Sequence, residues 1–205
     1  MALRSALRRL GLRADAATLA AYRRINHELW GLYAKGRMAG PAVARERFRR
    51  LLSERGAEAR LAKALDEGYL ADLSRRGEAL PGARRALARL RRRFALAVVT
   101  NGYDRVQHSR LRAGRLLRHF DAIVTSEGCG YTKPHRGIVD AALASLGVTP
   151  AEALLVGDDL STDRGAARSA GVPFVWLDRG VVPARAGLPR RRVGSLSELA
   201  EQLGC

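Results

Sequence analysis

The stretch "LLVGDDLSTDRGAARSAG", residues 154–171, decides the fold. With Ala153 it opens as an apolar run of strand length, "ALLVG" at 153–157, passes three aspartates, and continues as a helical pattern over about 161–170. Working outward, the same alternation repeats. Upstream lie the strand "FALAVVT", a helix over about 104–117, the strand "AIVTS" at 122–126 and a helix over about 135–146; downstream lies the strand "PFVWL" at 173–177. Strands alternating with helices predict an α/β fold with a doubly wound parallel sheet. "TPAE" at 149–152 and "SLSE" at 195–198 read as capping boxes, the second opening a C-terminal helix. Residues 179–194, with Pro183, Gly187, Pro189 and three consecutive arginines, read as an exposed loop.

Before "LPGA" at 80–83 the pattern differs. Residues 1–77 carry helical periodicity and no convincing strand, so the expected domains are a helical unit, 1–77, and an α/β unit, 78–205. The Arg-rich start "MALRSALRRLGLRA" suits a transit peptide or the first turns of an amphipathic helix, and the helical pattern that follows favours the helix.

A chain of 205 residues with 47% hydrophobic content can bury a real core. No apolar run approaches the ~20 residues that span a bilayer. The two cysteines, Cys129 and Cys205, have no metal-ligand spacing and point to a reducing compartment, hence the cytoplasm. A formal charge of +17 raises nucleic acid as a partner, but the basic runs 45–50, 89–94 and 190–192 are dispersed and aromatics for base stacking amount to 5%. A solvated Arg-rich surface is the better account. Lys35, Lys63 and Lys133 are the only lysines among 37 basic residues, which singles them out as places where a compact ammonium is needed.

Ligands of open parallel sheets sit beyond the carboxyl ends of the strands. Three strand ends carry groups that handle phosphate. In "VVTNG" Thr100 supplies a hydroxyl, and Asn101 and Gly102 present backbone N–H groups; in "GYTKP" Lys133 precedes Pro134 and a helix; "VGDDLSTD" brings Asp158, Asp159 and Asp163 together. Three carboxylates at one strand end repel one another unless a cation or hydrogen-bond donors share the space.

Taken in order, hydroxyl, lysine and aspartate cluster resemble the last three motifs of the haloacid dehalogenase superfamily, most of whose members are phosphatases. "INHELW", "ERFRRLL", "LPGA", "VVTNGYDRVQHSRL", "SEGCGYTKP" and "GDDLSTDRGAARSAG" resemble the noncanonical pyrimidine nucleotidase family, which removes phosphate from nucleoside monophosphates. The resemblance implies a Rossmann-like core with an α-helical cap, Mg2+ as cofactor and a small phosphorylated substrate, a nucleoside monophosphate first. It implies that Thr100, Asn101, Gly102 and Lys133 hold the phosphate, Asp158 and Asp159 serve the metal, and Lys133 and Asp163 belong to the catalytic set. Asn26, His27, Trp30 and Tyr33 would face the nucleobase from the cap, or pack within it.

The family opens with an apolar strand ending in Asp-x-Asp-x-Thr, whose first aspartate is the nucleophile. Nothing in this sequence matches it; "DAATL" at 15–19 has Arg13 and Ala14 where a buried strand should precede, and reads as a helix start capped by Asp15. Two consequences follow. The chain as written should be inactive, and the strands near Ala95 and Ala153 should be left with unpaired inner edges. Losing a central strand while keeping the phosphate-handling groups is physically awkward, so a start assigned too late or a lost N-terminus is expected rather than a true loss. The alternatives are a non-catalytic protein that binds phosphate or nucleotide, and an Arg-driven nucleic-acid binder.

Overall fold

The computed structural model describes residues 1–180 and 188–205 and resolves two units, Met1–Arg76 and Gly77–Cys205.

The first unit holds helices α1 (Ala2–Arg9), α2 (Ala16–Ala34), α3 (Gly40–Glu54) and α4 (Ala62–Ser74). On α1 the residues Leu3, Ala6 and Leu7 are buried while Arg4, Arg8 and Arg9 are exposed, as an amphipathic helix requires, and α1 packs on α4. Asp15 caps α2, accepting from the Thr18 amide at 2.8 Å and from its hydroxyl. The core gathers Ile25, Leu29, Val43, Phe48, Leu51, Leu52 and Leu65. Among them lies a charge: the Arg47 side chain is 3% exposed, ion-paired with Asp66, and its guanidinium carbon lies 4.8 Å and 5.0 Å from the ring centroids of Phe48 and Tyr69.

The second unit alternates as expected: α5 (Ala83–Leu90), β1 (Ala97–Thr100), α6 (Asp104–Ala113), β2 (Ala122–Thr125), the single turn α7 (Ser126–Cys129), α8 (Gly137–Leu146), β3 (Leu155–Gly157), α9 (Asp163–Ala170), β4 (Phe174–Leu177), β5 (Arg192–Val193) and α10 (Leu196–Gln202). Several limits differ from the sequence reading. The helix expected over 104–117 stops at Ala113, because Gly114 and a left-handed Arg115 (φ 56°) turn the chain into a 3₁₀ turn, Leu117–His119. The helix expected from 161 begins at Asp163, since Asp159 takes the amides of Ser161 and Thr162 first. The box at Thr149 and Glu152 closes a 3₁₀ turn, and Glu198 reaches the Gly194 amide (2.7 Å) while Ser195 caps α10. Within the expected loop 179–194 lies β5, anchored by buried Val193; residues 181–187, with Pro183 and Gly187, lie outside the described residues.

Among the described residues all the pairings are parallel, but they form two ladders, β1-β2 and β3-β4-β5. Among the described residues no strand pairs with the second edge of β1 or of β3. The same helices nevertheless cover both. One face is closed by α8 and α9, whose Ile138, Val139, Ala166 and Ala170 pack with Ala97 and Val99 of β1, Val124 of β2 and Leu155 of β3; on the other, Leu90, Leu199 and Ala200 pack with Leu96, Leu154 and Val156. This is the doubly wound arrangement with one strand position open. Every residue of β1 and β3 is partly exposed, whereas central strands of such sheets are buried on both faces.

Candidate active site

The C-terminal ends of β1 and β3 border the open strand position, and Lys133 spans them. The Leu96 carbonyl accepts from the amides of Asp121 and Ala122 on the β2 side, so alternation turns Val99 toward the unpaired edge. There the Lys133 Nζ donates to the Val99 carbonyl at 2.9 Å and, at 2.7 Å, to Asp163 Oδ1 at the start of α9. Both side chains are nearly buried, at 13% and 9% exposure, so the ammonium is held in one place.

What aims it is a contact absent from the linear reading. The Asn101 side chain clamps the Lys133 backbone from both sides, Nδ2 donating to the Lys133 carbonyl at 3.0 Å and Oδ1 accepting from its amide at 2.7 Å. Asn101 thus ties the loop after β1 to the loop before α8. Thr100 Oγ1 accepts from the Gly102 amide at 3.2 Å, and the Thr132 hydroxyl beside Lys133 is buried and has no hydrogen-bond partner among the described residues.

The three aspartates have three different settings. Asp163 holds Lys133 and accepts the Asp159 amide on Oδ2 at 3.1 Å. That approach needs Gly157, since a Cβ there would sit 2.3 Å from Asp163 Oδ2. Asp159 is turned into its own loop, where Oδ1 accepts from the Ser161 hydroxyl (2.6 Å) and from the amides of Ser161 and Thr162. Burial alone would raise its pKa; these hydrogen bonds outweigh that and hold it below the ordinary carboxylate value. Asp158 is half-exposed and meets Arg179 at 3.2 Å, while its carbonyl accepts from the Trp176 indole at 3.3 Å. Arg179 was not legible as a site residue, since it follows a different strand and the sequence is full of arginines.

Magnesium takes oxygen ligands in octahedral geometry. Asp158 offers it a carboxylate whose competing contact is one solvent-exposed ion pair, and such pairs are weak. Asp159 and Asp163 are engaged elsewhere, and among the described residues no three His, Cys, Asp or Glu side chains converge as a metal site. The donors present therefore make part of a magnesium site and not a whole one.

In the helical unit Trp30 and Tyr33 meet edge to face, 5.4 Å between centroids, and both pack against the unit's own core. Asn26 keeps a buried Oδ1 without a partner among the described residues, and His27 is exposed.

Comparison with known proteins bears on this arrangement. The model of the haloacid dehalogenase-like hydrolases matches residues 42–177. The chain is 41% identical over 178 residues to a phosphoserine phosphatase of Thermus thermophilus, an alignment covering 84% of this chain and 70% of that protein. It is 32% identical to the pyrimidine 5′-nucleotidase YjjG of Escherichia coli, covering 90% of this chain and 81% of the relative. Among solved structures, the magnesium-bound HAD-hydrolase YfnB of Bacillus subtilis superposes with a TM-score of 0.91 at 28% identity, over 100% of this chain and 90% of that one.

Proposed function

The chain belongs to the haloacid dehalogenase-like hydrolase family, and from that premise we propose that it is built to hydrolyse small phosphomonoesters, nucleoside 5′-monophosphates first, with the phosphoryl group held at the ends of β1 and β3. The observation that carries this reading is the fixed Lys133 ammonium, set by Val99, Asp163 and the Asn101 clamp beside the Thr100 hydroxyl. A preorganised cation with adjacent donors stabilises a phosphoryl group without reorganising during reaction.

Phosphoryl transfer through a covalent intermediate also needs a carboxylate acceptor in line with the leaving oxygen. Among the described residues at these strand ends none is left for that role: Asp163 is committed to Lys133, Asp159 to its loop, and Asp158 is the carboxylate offered to the metal, while Asp15 caps α2. The open strand position between β1 and β3 ends beside Lys133, so a strand seated there would deliver its C-terminal side chain to the phosphoryl site. Magnesium, when bound, would neutralise phosphoryl charge, with Asp158 as the ligand from this chain.

The test compares the 205-residue chain with one extended by an apolar strand ending in Asp-x-Asp-x-Thr, assayed on UMP and phosphoserine. The given chain should release no phosphate above background; the extended chain should release it in a magnesium-dependent manner, faster from UMP, and Asp158→Asn in the extended chain should abolish release. Release unaffected by Asp158→Asn would sink the metal assignment, and preference for phosphoserine would move the substrate class. The preassembled Lys133 site also favours a second reading, a protein that binds phosphate without turnover. Saturable phosphate binding by the given chain, with an extended chain that stays inactive, would support that reading.

A further inference from the structure

At the opposite end of β1 lies a second basic site. A cavity of about 640 Å³ opens where the chain leaves α5, lined by Arg91, Arg92, Arg93 and Phe94 from that side and by Arg118 and His119 from the turn before β2. It reaches Ala95, five residues before Thr100; at ~3.3 Å per residue, roughly 17 Å of extended chain separates it from the phosphoryl site.

Arginines after a helix C-terminus have a simple explanation, attraction to the carbonyl end of the helix dipole. Specific partners also cover part of this cluster. Arg93 donates to the carbonyls of Leu203 (3.2 Å) and Gly204 (2.8 Å), and Arg91 meets Asp121 at 3.3 Å, whose other oxygen is taken by the Leu96 amide. Two guanidiniums are left over. Neither Arg92 nor Arg118 has a side-chain hydrogen bond or ion pair among the described residues, and they come from two separate segments facing one cavity. Among the described residues of the lining Asp121 is the single carboxylate, against four guanidiniums.

His119 stands in the same wall. It is 6% exposed, lines the cavity, and its Nε2 is buried with no hydrogen-bond partner among the described residues. Burial, then the charges of Arg118 and Arg91, hold its pKa below the ordinary value. Phe94, 40% exposed, gives the lining an apolar face.

We infer that this basin is a binding site for a small polyanion carrying two or more phosphoryl groups, held by Arg92 and Arg118 from its two lining segments with Phe94 against its organic part. Guanidiniums suit phosphate because their donors match two oxygens at once. The basin is broad and open to solvent, so the guanidiniums carry the binding, and a lone aromatic gives no platform for successive bases of a strand.

The probe is inorganic triphosphate, titrated calorimetrically into the full chain without divalent metal and followed by backbone amide NMR. Saturable 1:1 binding is expected, with shifts at residues 91–95 and 118–121. Arg92→Ser combined with Arg118→Ser should weaken it at least tenfold, while Arg23→Ser combined with Arg37→Ser, which removes equal charge elsewhere, should leave it within twofold. Trp176 fluorescence verifies that the variants fold. Equal loss in both double variants would reduce the effect to bulk charge and overturn the proposal. So would shifts centred on Thr100–Gly102 and Lys133, or a single-stranded oligonucleotide that binds these residues more tightly than triphosphate.

Discussion

Single side chains in this protein are placed by partners far away in sequence. Asn101 and Lys133 are 32 residues apart, yet the clamp between them sets where the ammonium points. Asn101→Ala should leave the fold standing and loosen Lys133; in the strand-extended chain, phosphate release should fall tenfold or more, and calorimetric phosphate affinity of the given chain should weaken with it. Arg47 makes the opposite case, a charge whose work is structural. Removing one partner of a buried pair leaves the other uncompensated, at a cost of about 3–5 kcal/mol, so Arg47→Ala should sharply lower the urea midpoint read by Trp30. Asp66, already pushed up by burial in spite of Arg47, would then be left without its cation. His119 supplies a pH signature. Its folded pKa lies below the ordinary 6.5, so the unfolded chain takes up protons first as pH falls. Its stability contribution is whole above 6.5 and is lost as pH drops toward the folded value. Melting temperature should therefore fall between pH 7.5 and 5.5, with Arg91, Arg118 and Asp121 as the facing charges, and the slope should shrink in His119→Gln.

At the level of elements, the sequence pattern located β1, β2, β3 and β4 within a few residues, because buried parallel strands are apolar runs flanked by turn residues. Helix ends were less legible. Where α9 starts depends on Asp159 choosing its own loop amides, and where α6 stops depends on a left-handed Arg115; neither leaves a hydrophobic trace. The two-residue β5 escaped because pairing with β4, and not its own composition, makes it a strand. Ser195 was readable as a cap, and its loss should cost about 1 kcal/mol. Ser195→Ala, followed through Trp176 fluorescence in urea, checks this, since α10 packs on α5 and β5.

For the whole molecule the decisive feature is the open strand position. Unpaired backbone edges covered by the same helices invite pairing with any available strand. The given chain should therefore self-associate at high concentration through β1 and β3, and the strand-extended chain should stay monomeric in sedimentation and unfold at a higher urea concentration when read at Trp176. A net charge of +17 opposes association at low salt, so added salt should reveal it. By itself the sequence determined the alternation of strands and helices, the helical first unit, and which strand ends bear the hydroxyl, the lysine and the aspartates. These follow from local periodicity and from the position of polar residues at the ends of apolar runs. Only the tertiary structure decided which aspartate holds Lys133 and which caps a loop, that Asn101 is a clamp, and that Arg92 and Arg118 share a cavity. Such roles are settled by which donors come within about 3 Å of each other, and that depends on packing between segments tens of residues apart.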